Sequence, residues 1–230
     1  MRDGGALSVP PGTIRAAIID LDGTLLDTAP DFHIAINRMR AELDLAPLPL
    51  AIIIRYVGKG TEHLVRCVLA VDLPEEQAQA VFAEALQSYH RHYHAINGEH
   101  AALFPEVHEG LAAMQAKGLK LACVTNKPIA FTEPLLARMG LRAYFSVVYG
   151  GDSLAAKKPD PLPLLQVCKD FDLPPHQVLA IGDSVNDAQA ARAAGCPVFI
   201  VPYGYNHGEA VHGIDSDGIV QTLLTAAQQI

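Results

Sequence analysis

The chain is 230 residues long, half apolar and 18% charged, which suits one ordinary domain with a smaller insertion and excludes a disordered chain. Lys and Arg number 17 against 25 Asp and Glu, a formal charge of −8, so the surface repels nucleic-acid backbones and anionic lipid, and neither is expected as a partner. No apolar run reaches the roughly 18–20 residues of a membrane span, because Pro47 and Pro49 break the most apolar stretch, residues 45–54.

In chain order, MRDGGALSVPPGTIR lacks an apolar stretch of signal-peptide length and reads as a loose tail, which puts the protein in the cytoplasm. A first strand is expected over residues 16–20. Helices follow over 31–43, 60–70 and 75–93, with apolar residues at three- and four-residue spacing. Further strands are expected over 119–124, 145–149, 178–181 and 197–201, each a continuous apolar run of the kind buried on both faces. Gly140 and Gly195 read as helix stops, and Asp160-Pro161 as a helix start. Strands alternating with helices predict an α/β fold, a doubly wound parallel sheet with right-handed crossovers. Such a crossover needs only about a dozen residues, so residues 29–97 are read as an inserted helical cap and residues 1–28 with 98–230 as the core. The insertion leaves from the carboxyl end of the first strand, where open α/β sheets bind ligands. It reads as a lid. Cys67, Cys123, Cys168 and Cys196 are scattered without a C-x-x-C, so neither disulfides nor structural zinc are expected, and Cys123 is expected as a buried thiol.

The first strand ends in Asp20-Leu21-Asp22-Gly23-Thr24-Leu25. Residues two apart on an extended chain share a side, so Asp20 and Asp22 are expected to face one point while Leu21 turns to the core. Gly23 lets the chain turn tightly beside a ligand. The strand over 178–181 leads into Gly182-Asp183-Ser184-Val185-Asn186-Asp187, with Asp183 at the strand tip and Asp187 four residues on. Adjacent strand ends would bring Asp20, Asp22, Asp183 and Asp187 together, and four carboxylates so close call for a hard cation such as Mg²⁺. The second strand ends in Val124-Thr125-Asn126-Lys127-Pro128, a hydroxyl and backbone N–H groups at a helix start that can cradle an anion. After the third strand, Lys157-Lys158-Pro159-Asp160 offers a lysine to the strand tips as a point charge for phosphate.

These four segments resemble the four motifs of the haloacid dehalogenase superfamily of phosphohydrolases. D-x-D-G-T falls on residues 20–24, the Thr on Thr125, the Lys on Lys158 and G-D-x-x-x-D on residues 182–187. Within the superfamily the chain is similar to the phosphoglycolate phosphatases, through DLDGTLLDTAPDF (20–32), VTNKP (124–128), KPDP (158–161), GDSVNDAQAARAAG (182–195) and YGYN (203–206). The resemblance implies Asp20 as nucleophile, Asp22 as general acid and base, and Thr125 and Lys158 as further catalytic residues. It implies a Mg²⁺ site of Asp20, Asp183 and the backbone carbonyl of Asp22, with Asp187 behind these ligands or acting through water. Gly23, Thr24, Thr125, Asn126 and Lys158 are implied around the phosphoryl group, and the expected substrate is a small phosphorylated carboxylate, 2-phosphoglycolate first. Val57-Gly58-Lys59-Gly60 fits a V-G-x-G cap loop in which Lys59 is an unusual filler; there Lys59 is read as the receiver of the substrate carboxylate. Phe104-Pro105-Glu106-Val107 stands where the family carries F-P-G-V. The rival activities are a sugar- or pyridoxal-phosphate phosphatase, a phosphomutase, or a non-enzymatic receiver-like phosphoacceptor, which would need no helical lid. A monomer or homodimer is expected.

Other signals are set aside. Gly58-Lys59-Gly60-Thr61 is no P-loop, since Gly60 stands where Ser or Thr is required. His90, His92 and His94 lack an acidic third ligand in register and read as a solvated helix end. Asp215-Ser216-Asp217-Gly218 lacks the later Glu of a calcium loop.

Overall fold

The computed structural model describes residues 12–230, so most of the expected tail, residues 1–11, lies outside the described residues. Ile14 is already buried, and the Arg15 N–H donates to the Gln177 carbonyl at 2.9 Å. The elements are β1 (Ala16–Ile19), β2 (Leu26–Asp27), α1 (Ala29–Glu42), α2 (Leu50–Ile53), α3 (Thr61–Leu69), α4 (Glu75–Ile96), β3 (Ala102–Leu103), α5 (Val107–Ala116) and β4 (Lys120–Val124). They continue as α6 (Ile129–Arg138), β5 (Val147–Tyr149), α7 (Leu162–Phe171), β6 (Val178–Gly182), α8 (Val185–Ala194), β7 (Val198–Ile200), β8 (Gly218–Ile219) and α9 (Leu223–Gln228).

Six strands form one sheet in the order β5-β4-β1-β6-β7-β8, parallel throughout. Alternate residues of β1 serve opposite faces, because successive side chains of a strand point to opposite sides. Ala17 and Ile19 pack with Leu111 of α5, Leu135 of α6 and Leu223 of α9. Ala16 and Ile18 pack with Val167 of α7 and Ala191 of α8. The sheet is therefore covered on both sides, as its continuously apolar strands require. With β1 central and the chain winding outward to both edges, the carboxyl ends of β1, β4 and β6 converge on a topological switch point.

Helices α1–α4 are the insert, joined by a third apolar cluster that includes Phe32, Met39, Val65, Val68, Tyr89 and Tyr93. Arg40 is buried in it, donating to the carbonyls of Ala46 (2.7 Å) and Val68 (2.5 Å) and pairing with Asp72. The two passages between insert and sheet are tied to each other: β2 pairs antiparallel with β3, and buried Asp31 accepts from the N–H groups of Gly98 (2.8 Å) and His100 (2.9 Å). The five expected strands are present. The third starts two residues later than read, because Arg142–Tyr144 forms a 3-10 turn before it. Strand β8 was not expected. It begins at the last residue of the Asp215–Gly218 segment, whose Asp215 and Asp217 carboxylates pair with Arg192 at 3.1 and 2.7 Å, Asp217 also accepting from the Val198 N–H at 2.8 Å. No helix among the described residues is long and apolar enough to cross a membrane.

Candidate active site

Asp20 directly follows β1, and its backbone N–H donates to the Ile181 carbonyl of β6 at 3.0 Å, fixing the two strand ends side by side. Leu21 is fully buried, as the alternation predicts. The chain then reverses, with the N–H groups of Leu25 and Leu26 both donating to the Leu21 carbonyl, at 2.9 and 3.0 Å. Gly23 takes φ 86° at this turn, and a β-carbon there would collide with the Asp183 carboxylate. Only glycine meets both conditions.

Asp20, Asp183 and Asp187 are buried, each offering a carboxylate oxygen within 4.8 Å of the others. Asp183 accepts from the N–H groups of Tyr205 (2.6 Å) and Asn206 (3.4 Å) and from the Thr24 hydroxyl (3.4 Å). Asp187 closes a capping box at the start of α8, accepting from the Ser184 N–H at 3.1 Å and its hydroxyl at 2.6 Å. Lys158 anchors the group, donating to Asp187 (2.7 Å), Asp20 (2.9 Å) and the Val124 carbonyl (2.7 Å). Burial alone would lower the pKa of this amine, but Asp187 and Asp20 hold it above the usual lysine range. One lysine against three buried carboxylates leaves excess negative charge. Burial lifts Asp20 to about 7, against the pull of Lys158 and with the push of Asp187. Burial, then repulsion from Asp187 and Asp20, lifts Asp183 to about 8. A hard divalent cation fits this all-oxygen donor set and removes its charge imbalance.

The expectation that all four acids converge needs correction. Asp22 does not join the triad; its carboxylate accepts from Lys127 Nζ at 2.9 and 3.2 Å and from the Thr28 hydroxyl at 2.7 Å. The turn at Gly23 carries the second acid away from the strand direction, so two-residue alternation no longer applies. Asp20 and Asp22 do line one cleft beneath the insert, with Thr125, Asn126, Lys127, Gly58, Thr61, Phe32, Tyr93 and Phe131. Thr125 Oγ1 accepts from the Lys127 N–H at 3.2 Å. The Asn126 amide donates to the Gly58 carbonyl (2.8 Å) and the Lys158 carbonyl (2.7 Å). Gly23 and Thr24 do not line the cleft; they shape and hold Asp183 instead. Lys59 is exposed and also absent from the lining, although its neighbours Gly58 and Gly60 belong to it. Its charge acts on His63, Cys67 and His207 at the rim.

Three contributors escaped the sequence reading. Lys127, buried at the tip of β4, holds Asp22; a charged residue two positions beyond a core strand's last hydroxyl was the available signal. The Tyr205 hydroxyl accepts from the N–H groups of Thr28 (2.7 Å) and Ala29 (2.8 Å) and donates to Asp27 (2.8 Å). One residue thus supports Asp183 through its backbone and the start of α1 through its side chain. The Asn186 amide donates to the Gly58 carbonyl at 3.2 Å, so two core asparagines grip one carbonyl of the insert. Neither pattern is local in sequence. Of the histidine cluster, His92 pairs with Glu42 at 2.7 Å and His90 packs against Phe131, ring centroids 5.6 Å apart.

The family model for haloacid dehalogenase-like hydrolases matches residues 14–195. A phosphoglycolate phosphatase of Nitrosospira multiformis is 51% identical over 220 residues, 96% of this chain and 97% of that one. One from Thiobacillus denitrificans is 50% identical over 224 residues, with the same coverage. The crystal structure of a predicted phosphoglycolate phosphatase from Haemophilus somnus superposes with a TM-score of 0.87 at 31% identity, covering 95% of this chain and 99% of its own. An acidic triad, its lysine and a helical insert over the strand ends agree with that ancestry: the chain belongs to the haloacid dehalogenase-like hydrolases, in their phosphoglycolate phosphatase family.

Proposed function

We propose that this protein hydrolyses 2-phosphoglycolate to glycolate and phosphate, with Mg²⁺ held by Asp20, Asp183 and Asp187. The observation that carries the reading is the buried triad neutralised in part by Lys158, in a chain half identical to phosphoglycolate phosphatases over nearly its whole length. When bound, the cation draws charge from the phosphoryl oxygens. Asp20 attacks phosphorus in line, the ester oxygen leaves, and the phosphoryl group passes to the Asp20 carboxylate. Asp22, held by Lys127 and Thr28 at the cleft wall, gives the leaving oxygen its proton and then takes one from the water that frees phosphate. Lys158, the Thr125 hydroxyl and backbone N–H groups around Asn126 hold the phosphoryl oxygens as their charge grows. Residues 29–97, gripped by Asn126 and Asn186 at Gly58, form the cover that keeps bulk water out. Lys59, exposed on the rim, draws anions toward the cleft.

A panel of phosphate esters, assayed with Mg²⁺ and with EDTA, tests the reading. Phosphate release from 2-phosphoglycolate is expected with the highest kcat/KM, lost in EDTA and restored by Mg²⁺, without any sugar acceptor. Asp20→Asn is expected to remain folded and inactive. Transfer to a second sugar phosphate, a stable phosphoprotein without turnover, or full activity in EDTA would contradict it.

A further inference from the structure

We infer that Lys127, assisted by the Tyr93 hydroxyl, receives the carboxylate of the substrate, an assignment that rests on the phosphoglycolate reading. Asp20 and Lys127 line the same cleft, and Lys127 is the sole Lys or Arg among its described lining residues. Lys158 is outside that lining and serves the phosphoryl group, and Lys59 is outside it as well.

Reach follows from the chemistry. A carboxyl group that protonates the ester oxygen must lie within hydrogen-bond distance of it. In phosphoglycolate one methylene joins that oxygen to the carboxylate, so the second charge comes to rest beside Asp22 and therefore beside whatever Asp22 touches. That neighbour is Lys127 Nζ, at 2.9 and 3.2 Å from the two Asp22 oxygens. An ammonium has three N–H donors, and Asp22 is the sole hydrogen-bonding partner of this one among the described residues. The rings of Phe32 and Tyr93 enclose it, their centroids 4.5 and 4.7 Å away. Walls of this kind exclude water and strengthen a charge-assisted bond.

Tyr93 supplies an independent observation. It is fully buried on α4, stacked on Phe32 and Tyr89 with centroids 5.3 and 5.4 Å apart, and it lines the cleft. Its hydroxyl has no hydrogen-bond partner among the described residues. A buried hydroxyl left unpaired weakens a fold, and phenylalanine would fill the same stack without that cost. A carboxylate seated on Lys127 gives this donor its acceptor.

The test compares 2-phosphoglycolate with 2-hydroxyethyl phosphate, whose alkoxide makes the same demand on Asp22 but carries no second charge. Wild type is expected to favour the carboxylated ester in kcat/KM. Lys127→Met is expected to reduce that preference by about 10- to 100-fold, as loss of a charge-assisted bond would. Tyr93→Phe is expected to reduce it by about 3- to 10-fold while leaving Tm unchanged or higher, since the hydroxyl it removes has no partner among the described residues. An unchanged ratio in both variants, with both esters slowed alike, would overturn the assignment and make Lys127 a positioning residue for Asp22. Should Lys127→Met fail to fold, Tyr93→Phe decides alone. A wild type without preference between the esters would instead overturn the phosphoglycolate reading, before any variant is compared.

Discussion

Asp183→Asn is expected to inactivate the protein and, without metal, to stabilise it. Asp183 is buried, and its raised pKa of about 8 arises from burial first and then from Asp187 and Asp20. An amide keeps the shape: its oxygen can accept from the Tyr205 and Asn206 N–H groups, and its NH₂ can meet the Thr24 hydroxyl. Each unit of pKa shift is worth about 1.4 kcal/mol, so the shift from 3.8 to about 8 sets an upper limit of about 6 kcal/mol. Asp20 and Asp187 share the same repulsion, so removing one charge recovers about 2–3 kcal/mol, or a rise of about 5–10 °C in Tm for a chain of this size. The sign follows from proton uptake. A carboxyl whose folded pKa is raised binds its proton more tightly in the folded state, so its contribution is intact below about pH 4 and is lost as pH climbs through about 8. Thermal unfolding in EDTA should therefore show a large advantage for the variant at about pH 8 and little at about pH 4.5. Equal melting temperatures at the higher pH, or the same offset at both, would refute the view of the triad as repelling charges awaiting a cation.

Gly23→Ala forces a side chain into φ 86° and against the Asp183 carboxylate, which should cost about 2–5 kcal/mol by urea unfolding; a loss under about 1 kcal/mol would mean that the turn yields. Glu106 occupies the left-handed region at φ 60°, a conformation glycine adopts without strain, so Glu106→Gly should be more stable than Glu106→Ala by about 1 kcal/mol. Comparing the two variants cancels the Thr222 hydrogen bond that both lose. Asn186→Ala removes one of the two amides holding the Gly58 carbonyl and should lower kcat/KM about fivefold, the worth of one ordinary hydrogen bond. Unchanged kinetics would mean that Asn126 alone holds the insert.

Strands β1, β4, β6 and β7 were legible to within about a residue because burial on both faces demands uninterrupted apolar runs. Strand β8 was not, since Gly218–Ile219 is a half-buried pair at the sheet edge that needs no such run. The two-residue β2 and β3 are set by pairing between chain passages about 75 residues apart, a contact no local pattern encodes. The same division runs through the site. Asp20, Thr125 and Asp183 directly follow β1, β4 and β6, and Asp187 lies in the first turn of α8, so their sequence positions translate into spatial positions, while Lys158 comes from the loop between β5 and α7. Asp22 lies beyond the turn at Gly23, so the alternation that placed Asp20 misplaced its partner. Lys59 was read from the loop that holds it, and the loop does reach the cleft, but the backbone of Gly58 and Gly60 faces inward. The cation at the cleft wall is Lys127 instead, visible in T-N-K-P as a residue but not as a role, since its meaning depends on Phe32 and Tyr93 from the insert.

The central claim, that Asp20 takes the phosphoryl group before water does, is tested most directly by the stereochemical course at phosphorus. A thiophosphate ester of glycolate made chiral with oxygen isotopes would be hydrolysed in isotopically labelled water and the configuration of the released thiophosphate determined. Two successive in-line displacements, at Asp20 and then at water, predict retention; inversion would mean that water attacks the substrate directly and that Asp20 is not the nucleophile.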